Sequence, residues 1–448
     1  MTPDDDRPAA PHGRPMRPED AFWLELDRPE NLMVVTSLMW TSEEVDPDRL
    51  RAVVRERMVD RFPVFRQRPV LHGGPLRRGR WVEDPDFTLD RHLLVRPAPD
   101  GGDRRALAEF VGEQRGIPLE PQHPMWRMHL LQGYAGGSAL VTRFHHSIAD
   151  GIRSTEVMLG LLDPLDGEAP RFTARVGRVR PAHRATGPAA PVLTALNTGL
   201  ALLTIGLWSN PRTALEGRPR AAKSAAWGDP VPLEVVAGIG RRTGTTVNDV
   251  CTALVAGALA RYLARSPHGP RLSTGDDDVA WMVPVNLAAP APQPPEQLGN
   301  HFALVLVPLP VGPRSFPDRL AVVHRRIRRI RDSWEPVLTL GLSDALTRSP
   351  ALVGGAVTRW LGGKAVGVLT NVPGPRAPMS LAGAPVAGVV GWAPTSDRQA
   401  LTVTVFSYAG SVTVGFGADC AVVPDVDALV AAFQEEVAEA VAGCADRP

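Results

Sequence analysis

The residues best suited to chemistry lie in Phe144-His145-His146-Ser147-Ile148-Ala149-Asp150-Gly151. A strand-like apolar run ends at Phe144, two histidines stand at its mouth, and Asp150-Gly151 turns into a helix beginning near Ile152. Layered α/β folds place reacting groups at strand ends and in the loops beyond them. Neighbouring histidines on an extended backbone point to opposite faces, so only one can face a shared cavity. An imidazole with the ordinary pKa of about 6.5 can take a hydroxyl or amine proton at neutral pH. Three readings compete here: a general base, a structural pair of histidines, and a metal site. No further His, Cys, Asp or Glu cluster completes a metal site at ordinary spacing, and HExxH is absent. Asp276-Asp277-Asp278 reads as a solvated loop. Neither a G-x-S-x-G elbow nor a P-loop occurs, which leaves serine hydrolases and phosphate-loop enzymes unsupported.

The elements that must position this stretch alternate between strand and helix. LMVVTSLMW (32–40) reads as a buried strand, and PDRLRAVVRERMVDRF (47–62) carries apolar residues at helical spacing. RMHLLQ (127–132) and SALVTRF (138–144), joined by Tyr-Ala-Gly-Gly, read as an antiparallel hairpin. Beyond about residue 230 a second α/β half follows. It has a helix over 246–263 entered by Asn248 or Asp249 as cap, strands at 279–285, 303–309, 401–407 and 411–417, and a closing helix over 427–441. We therefore expect two layered α/β domains. We expect residues 1–14 as a disordered leader, 15–180 as the first domain, 181–230 as a crossover linker with an apolar helix, and 231–448 as the second domain.

Composition narrows the class. The chain has 448 residues, 44% hydrophobic and 22% charged, which suits a soluble globular protein with a large core. A formal net charge of +1 supplies no global field for nucleic acid. Cys251, Cys420 and Cys444 make neither a zinc pattern nor a disulfide framework, and a cytoplasmic location is expected. The acidic, proline-rich start is the opposite of a signal peptide.

HHSIADG matches the HHxxxDG signature of the CoA-dependent acyltransferase superfamily. RPEDAFWLELDRPENLMVV (17–35), PLEPQHPMWRMHLLQG (118–133), TTVNDV (245–250), VPVNL (283–287), LGN (298–300), NVPGP (371–375) and FSYAG (406–410) follow in order. Over residues 15–442 the chain resembles the bacterial wax ester synthase/diacylglycerol acyltransferase family. The resemblance implies two chloramphenicol-acetyltransferase-like domains enclosing a tunnel. His146 would be the base that deprotonates an acceptor hydroxyl for attack on the thioester of acyl-CoA, with no cofactor, metal or covalent intermediate. It also implies that His145 packs behind His146, that Asp150 is turned away and holds the loop through an ion pair, and that substrate meets Gly151, Pro124, Trp126 and Asn300. Asn248 and Asp249 match a second family motif, read either as a helix cap or as tunnel-lining polar groups. The chain departs from the family at Ala288, where an arginine often stands.

The acceptors implied are a hydrophobic alcohol, either diacylglycerol giving triacylglycerol or a long-chain alcohol giving wax ester. A specialised acyltransferase of a secondary metabolite, or a non-catalytic condensation-type lipid binder, are the alternatives. The uncharged run 192–208 reads as a buried or interfacial helix more than a spanning one, and a peripheral position on a membrane's inner face or a lipid droplet is expected. Arg325, Arg326, Arg328, Arg329 and Arg331 lie close together on one helix, either as a solvated face or as a site for anionic lipid or CoA phosphates.

Overall fold

The computed structural model describes residues 13–72, 78–165, 206–266, 277–286 and 302–445, with Leu196, Gly199, Leu203 and Leu298. These residues build two seven-stranded sheets and one three-stranded sheet. The small sheet joins β1 (Arg14–Pro15), β4 (Arg78–Glu83) and β3 (Gln67–His72) in that order. The first large sheet runs β5 (Leu93–Pro97), β6 (Trp126–Tyr134), β7 (Gly137–His145), β2 (Val34–Thr41), β15 (Ala384–Trp392), β14 (Met379–Leu381) and β8 (Leu162–Pro164). The second runs β10 (Val231–Pro232), β17 (Ser411–Asp419), β16 (Leu401–Tyr408), β13 (Gly367–Pro373), β11 (Asp278–Asn286) and β12 (Phe302–Pro310), with β9 (Lys223–Trp227) on β17.

Both faces of the central strands are covered, which is why they read as unbroken apolar runs: all nine residues of β7 are buried. One core lies under the first sheet around Phe65, Trp126 and Phe144. A second lies around Trp281, Phe416 and the helix Val247–Arg265. That helix is long and apolar enough to cross a membrane, yet 72% of its apolar window is buried inside the protein, so it serves as a core helix.

The expected strands appear within two residues at either end, the helix expected over 47–62 ends as a π turn at Val59, the closing helix runs on to Ala445, and the Tyr-Ala-Gly-Gly link is the expected tight turn. Three details differ. The cap of Val247–Arg265 is Thr246, whose side chain takes the Asp249 N–H while the Asp249 carboxylate takes the Thr246 N–H, a capping box in place of an Asn248 or Asp249 cap. Asp278 is no part of a solvated loop: it opens β11 and is held by both terminal nitrogens of Arg326 at 2.9 and 2.7 Å. The sheets also do not divide at one point of the chain. β14 and β15, from residues 379–392, complete the first sheet, and β9 from the crossover joins the second. The run 192–208 lies largely outside the described residues, although Leu196, Leu203 and Leu207 within it are helical and exposed.

Candidate active site

β7 delivers the two histidines between two backbone clamps. Its register against β2 sets Val34 opposite His145. The His146 N–H donates to the Met33 carbonyl at 2.7 Å, and the His145 N–H donates to the Met125 carbonyl at 3.0 Å. With the backbone fixed on both sides, the alternation of a strand decides which ring faces where. His146 lines a large cavity, whereas His145 is fully buried and does not. The His146 imidazole is stacked by Trp23 of the helix Pro18–Leu26, with ring centroids 4.1 Å apart and 30° between planes.

Behind the pair stands a buried polar row. The Ser147 N–H donates to His145 Nδ1 at 3.1 Å, and because a backbone N–H can only donate, the ring proton sits on Nε2. His145 Nε2 lies 3.7 Å from Asp27 Oδ2, while Asp27 Oδ1 accepts the Met33 N–H at 2.6 Å. Asp27 thus reaches both the strand carrying His145 and the residue whose carbonyl holds His146. Arg143 shares the His145 face of β7 and is wholly buried, one guanidinium nitrogen donating to the Ile117 carbonyl. Burial lowers its pKa to about 10, against the pull of the Asp27 carboxylate.

Asp150 is buried at the start of the helix Gly151–Leu159, where its Oδ1 accepts the Arg153 N–H at 2.8 Å. This is an N-cap that fixes the loop between base and helix. Gly151 follows with open space where a Cβ would stand, and both residues line the cavity. The Arg153 side chain reaches on to Glu156 at 2.6 Å.

Across the cavity the second motif divides its labour. Asn248 lines the cavity and its Oδ1 accepts from Asn371 Nδ2 at 3.0 Å. Asp249 turns into the protein, closes the capping box and meets His324 Nδ1 at 2.9 Å. Asn371 belongs to the NVPGP stretch of β13, and its pairing with Asn248 depends on tertiary placement alone. Trp23 was likewise hidden in a helix whose apolar spacing reads as packing.

Pro124 and Trp126, expected at the substrate, do not line the cavity: Trp126 sits in the first core and Pro124 beside it is buried. Trp126 donates its indole N–H to the Phe65 carbonyl at 2.9 Å and stacks on His92 at 4.6 Å between centroids. That burial pushes His92 down to about 4, so it stays neutral at pH 7. Asn300 and Ala288 lie outside the described residues. The arginine run is mostly tied down: Arg326 by Asp278, and Arg328 and Arg331 by Asp332 at 3.6 and 4.0 Å, while Arg331 alone of the five lines the cavity. Among the described residues no group of three His, Cys, Asp or Glu side chains is placed to hold a metal.

The cavity measures about 1720 Å³, larger than an ordinary small-molecule pocket, and is lined from both large sheets. Met33, Val35 of β2, Val283 and Val285 of β11 and Phe406 of β16 are among the residues that line it. An apolar space of this size, with one imidazole in its lining, can hold long chains beside a reacting centre.

Residues 16–207 match the family model described as wax ester synthase/diacylglycerol acyltransferase catalytic domain, and residues 298–440 match the WS/DGAT C-terminal domain. A Mycobacterium tuberculosis protein named a probable diacylglycerol O-acyltransferase is 28% identical over 406 residues, covering 84% of each chain. A second from that organism, of the same name, is 26% identical and covers 94% of this chain and 97% of its own. Among solved structures, the wax ester synthase/diacylglycerol acyltransferase of Marinobacter aquaeolei superposes with a TM-score of 0.70 at 23% identity, covering 96% of this chain and all of its own. The first condensation domain of the calcium-dependent antibiotic synthetase shares the fold at a TM-score of 0.62 and 19% identity.

Proposed function

This chain belongs to the wax ester synthase/diacylglycerol acyltransferase family of acyl-CoA-dependent O-acyltransferases, and we propose that its acceptor is diacylglycerol or a long-chain alcohol, with His146 as the base. The observation that carries the reading is the facing of the two histidines. His146 opens into an apolar cavity large enough for two chains, while His145 is sealed behind it. In the proposed step the imidazole takes the acceptor O–H proton as the oxygen attacks the thioester carbonyl carbon. The C–S bond then breaks, the ester leaves, and the imidazolium returns its proton to the CoA thiolate. Base and acid are the same ring, so no covalent enzyme intermediate is required.

Trp23 would hold the ring plane, Asp150 the loop, and Asn248 with Asn371 the far wall. No metal enters this scheme, and EDTA should leave turnover unchanged. Loss of activity on chelation, restored by zinc or manganese, would overturn the assignment. We place the enzyme in the cytoplasm, peripheral to a lipid surface, since acceptors of this kind partition out of water. The decisive experiment measures free-thiol release from long-chain acyl-CoA, crossed with diacylglycerol, long alcohols and small polar acceptors. Turnover confined to the polar acceptors would favour a specialised acyltransferase, and no thiol release with any acceptor would favour a lipid binder.

A further inference from the structure

Two neighbouring helices, Glu335–Arg348 and Ala351–Gly362, form one wall of the cavity and also present apolar side chains outward. Leu340 and Leu346 of the first, with Thr358 and Leu361 of the second, line the cavity from within. On the outside Leu338 is exposed, and Leu352 is 87% exposed beside Val353, with Trp360 two turns on. Leu207, 80% exposed, adjoins them: Lys364 lies 4.5 Å over the Trp360 ring and donates to the Gly206 and Trp208 carbonyls. A helix apolar on its inner face is ordinary, but one apolar on its outer face as well asks for a second apolar phase.

Charge says which phase. From Arg325 to Lys364 the chain carries eight arginines and lysines against three carboxylates, although its whole formal charge is only +1. Of the three, Glu335 is buried, Asp344 is bound by Arg348 at 3.0 Å, and Asp332 by Arg328 at 3.6 Å. Arg326 is neutralised by Asp278, which still leaves a clear cationic excess beside the apolar faces. Two copies of such a surface would repel one another, whereas an anionic lipid surface complements it.

We propose that the outer faces of Glu335–Arg348 and Ala351–Gly362 dock on an anionic phospholipid surface and set this cavity wall against it. The inference deepens the acyltransferase reading, because apolar acceptors would then pass from lipid to cavity without crossing water.

The test is co-sedimentation of the full chain with vesicles of phosphatidylcholine alone and of phosphatidylcholine with phosphatidylglycerol. The wild type should pellet with the mixed vesicles far more than with the neutral ones. The double variant Leu352→Asp, Val353→Asp touches no cavity residue and should melt as the wild type does. It should lose about tenfold or more in vesicle partitioning, since each buried aliphatic side chain is worth roughly that factor. Thiol release with a soluble short-chain donor and acceptor should be unchanged in the variant, and should fall when diacylglycerol is supplied in vesicles. Equal pelleting of variant and wild type, or no preference for the anionic vesicles, would overturn the docking surface while leaving the acyltransferase reading intact. A dimer seen by light scattering and lost in the variant, with vesicle binding unaffected, would assign the face to a second copy instead. Vesicle binding lost in the variant alongside no thiol release from any donor would support the docking surface and fail the acyltransferase reading.

Discussion

The molecule builds one hairpin twice and uses it for opposite ends. β6–β7 turns through Tyr134-Ala135-Gly136 with φ of 49° at Ala135 and 84° at Gly136. β16–β17 turns through Tyr408-Ala409-Gly410 with φ of 44° and 79° at the same places. Positive φ at both central residues is the turn whose twist suits a hairpin. Both return strands are buried almost end to end. They differ in what stands at the far end. β7 runs into His145-His146, with one ring in a cavity, whereas β17 runs into Asp419, whose oxygens take Lys223 Nζ at 2.7 Å, the Arg220 N–H at 2.7 Å and the Ala421 N–H at 3.0 Å. A group saturated with partners holds the chain, and a group with an open face can move a proton. The scaffold is shared and the exposed end decides the role.

The largest effect should separate those two ends. His146→Ala should cut thiol release by about a hundred- to ten-thousand-fold at an unchanged melting temperature, since positioned bases typically contribute that much. Asp419→Ala should do the reverse. It strands the buried Lys223 ammonium and should cost about 3–5 kcal/mol in urea unfolding, with the rate per folded molecule preserved. A rate defect at full stability in the Asp419 variant would show that this end of β17 also serves the chemistry.

A pH series sharpens it from another side. The first half buries bases: His92 is pushed down to about 4, and His129 to about 3 by burial and by neighbouring arginines. The second half buries an acid, Glu335, raised to about 7 by desolvation against the pull of Arg329 and the Leu306 backbone. The depressed histidines bind fewer protons folded than unfolded, so their contribution is present above pH 6.5 and is lost as the pH falls toward 4 and below. The raised carboxyl binds more, so its contribution is present below about 4.5 and is lost as the pH rises through about 7. Glu335→Gln should therefore stabilise by of order 3 kcal/mol at pH 8 and change little at pH 4.5, read from denaturant midpoints. An equal gain at both pH values would mean that packing, not titration, is at issue.

Trp23→Leu should lower turnover by up to about tenfold, the worth of one aromatic stack, and Trp23→Phe should restore most of it. The pH profile of kcat/KM should move in the leucine variant and not in the phenylalanine one. If both variants keep the wild-type rate, the stack holds the helix and not the base. The smallest effect belongs to the twin turns. Ala135→Gly and Ala409→Gly each relieve a left-handed alanine and should stabilise by about 1 kcal/mol, equally in both hairpins. Unequal gains in melting temperature would show that the two turns are not equivalent.

Much of this was legible in the chain. The apolar runs of β7, β16 and β17 and the long apolar stretch of Val247–Arg265 are local signals, and local signals survive without tertiary knowledge. Period-two alternation also required that only one of His145 and His146 face a cavity. Which one it was depended on β2 alongside and on β15, which arrives from residues 384–392 to close the same sheet. The same limit applied to Asn248 and Asp249, adjacent on one helix and separated in role by Asn371 and His324. Trp126 sits in a stretch that looked like substrate contact and proved to be core, because a tryptophan packs alike against a lipid chain or a phenylalanine in sequence. Sequence determines what each residue is able to do within its own turn or strand. The facing of side chains toward a common space is set by partners hundreds of residues away, and only the folded chain brings them there.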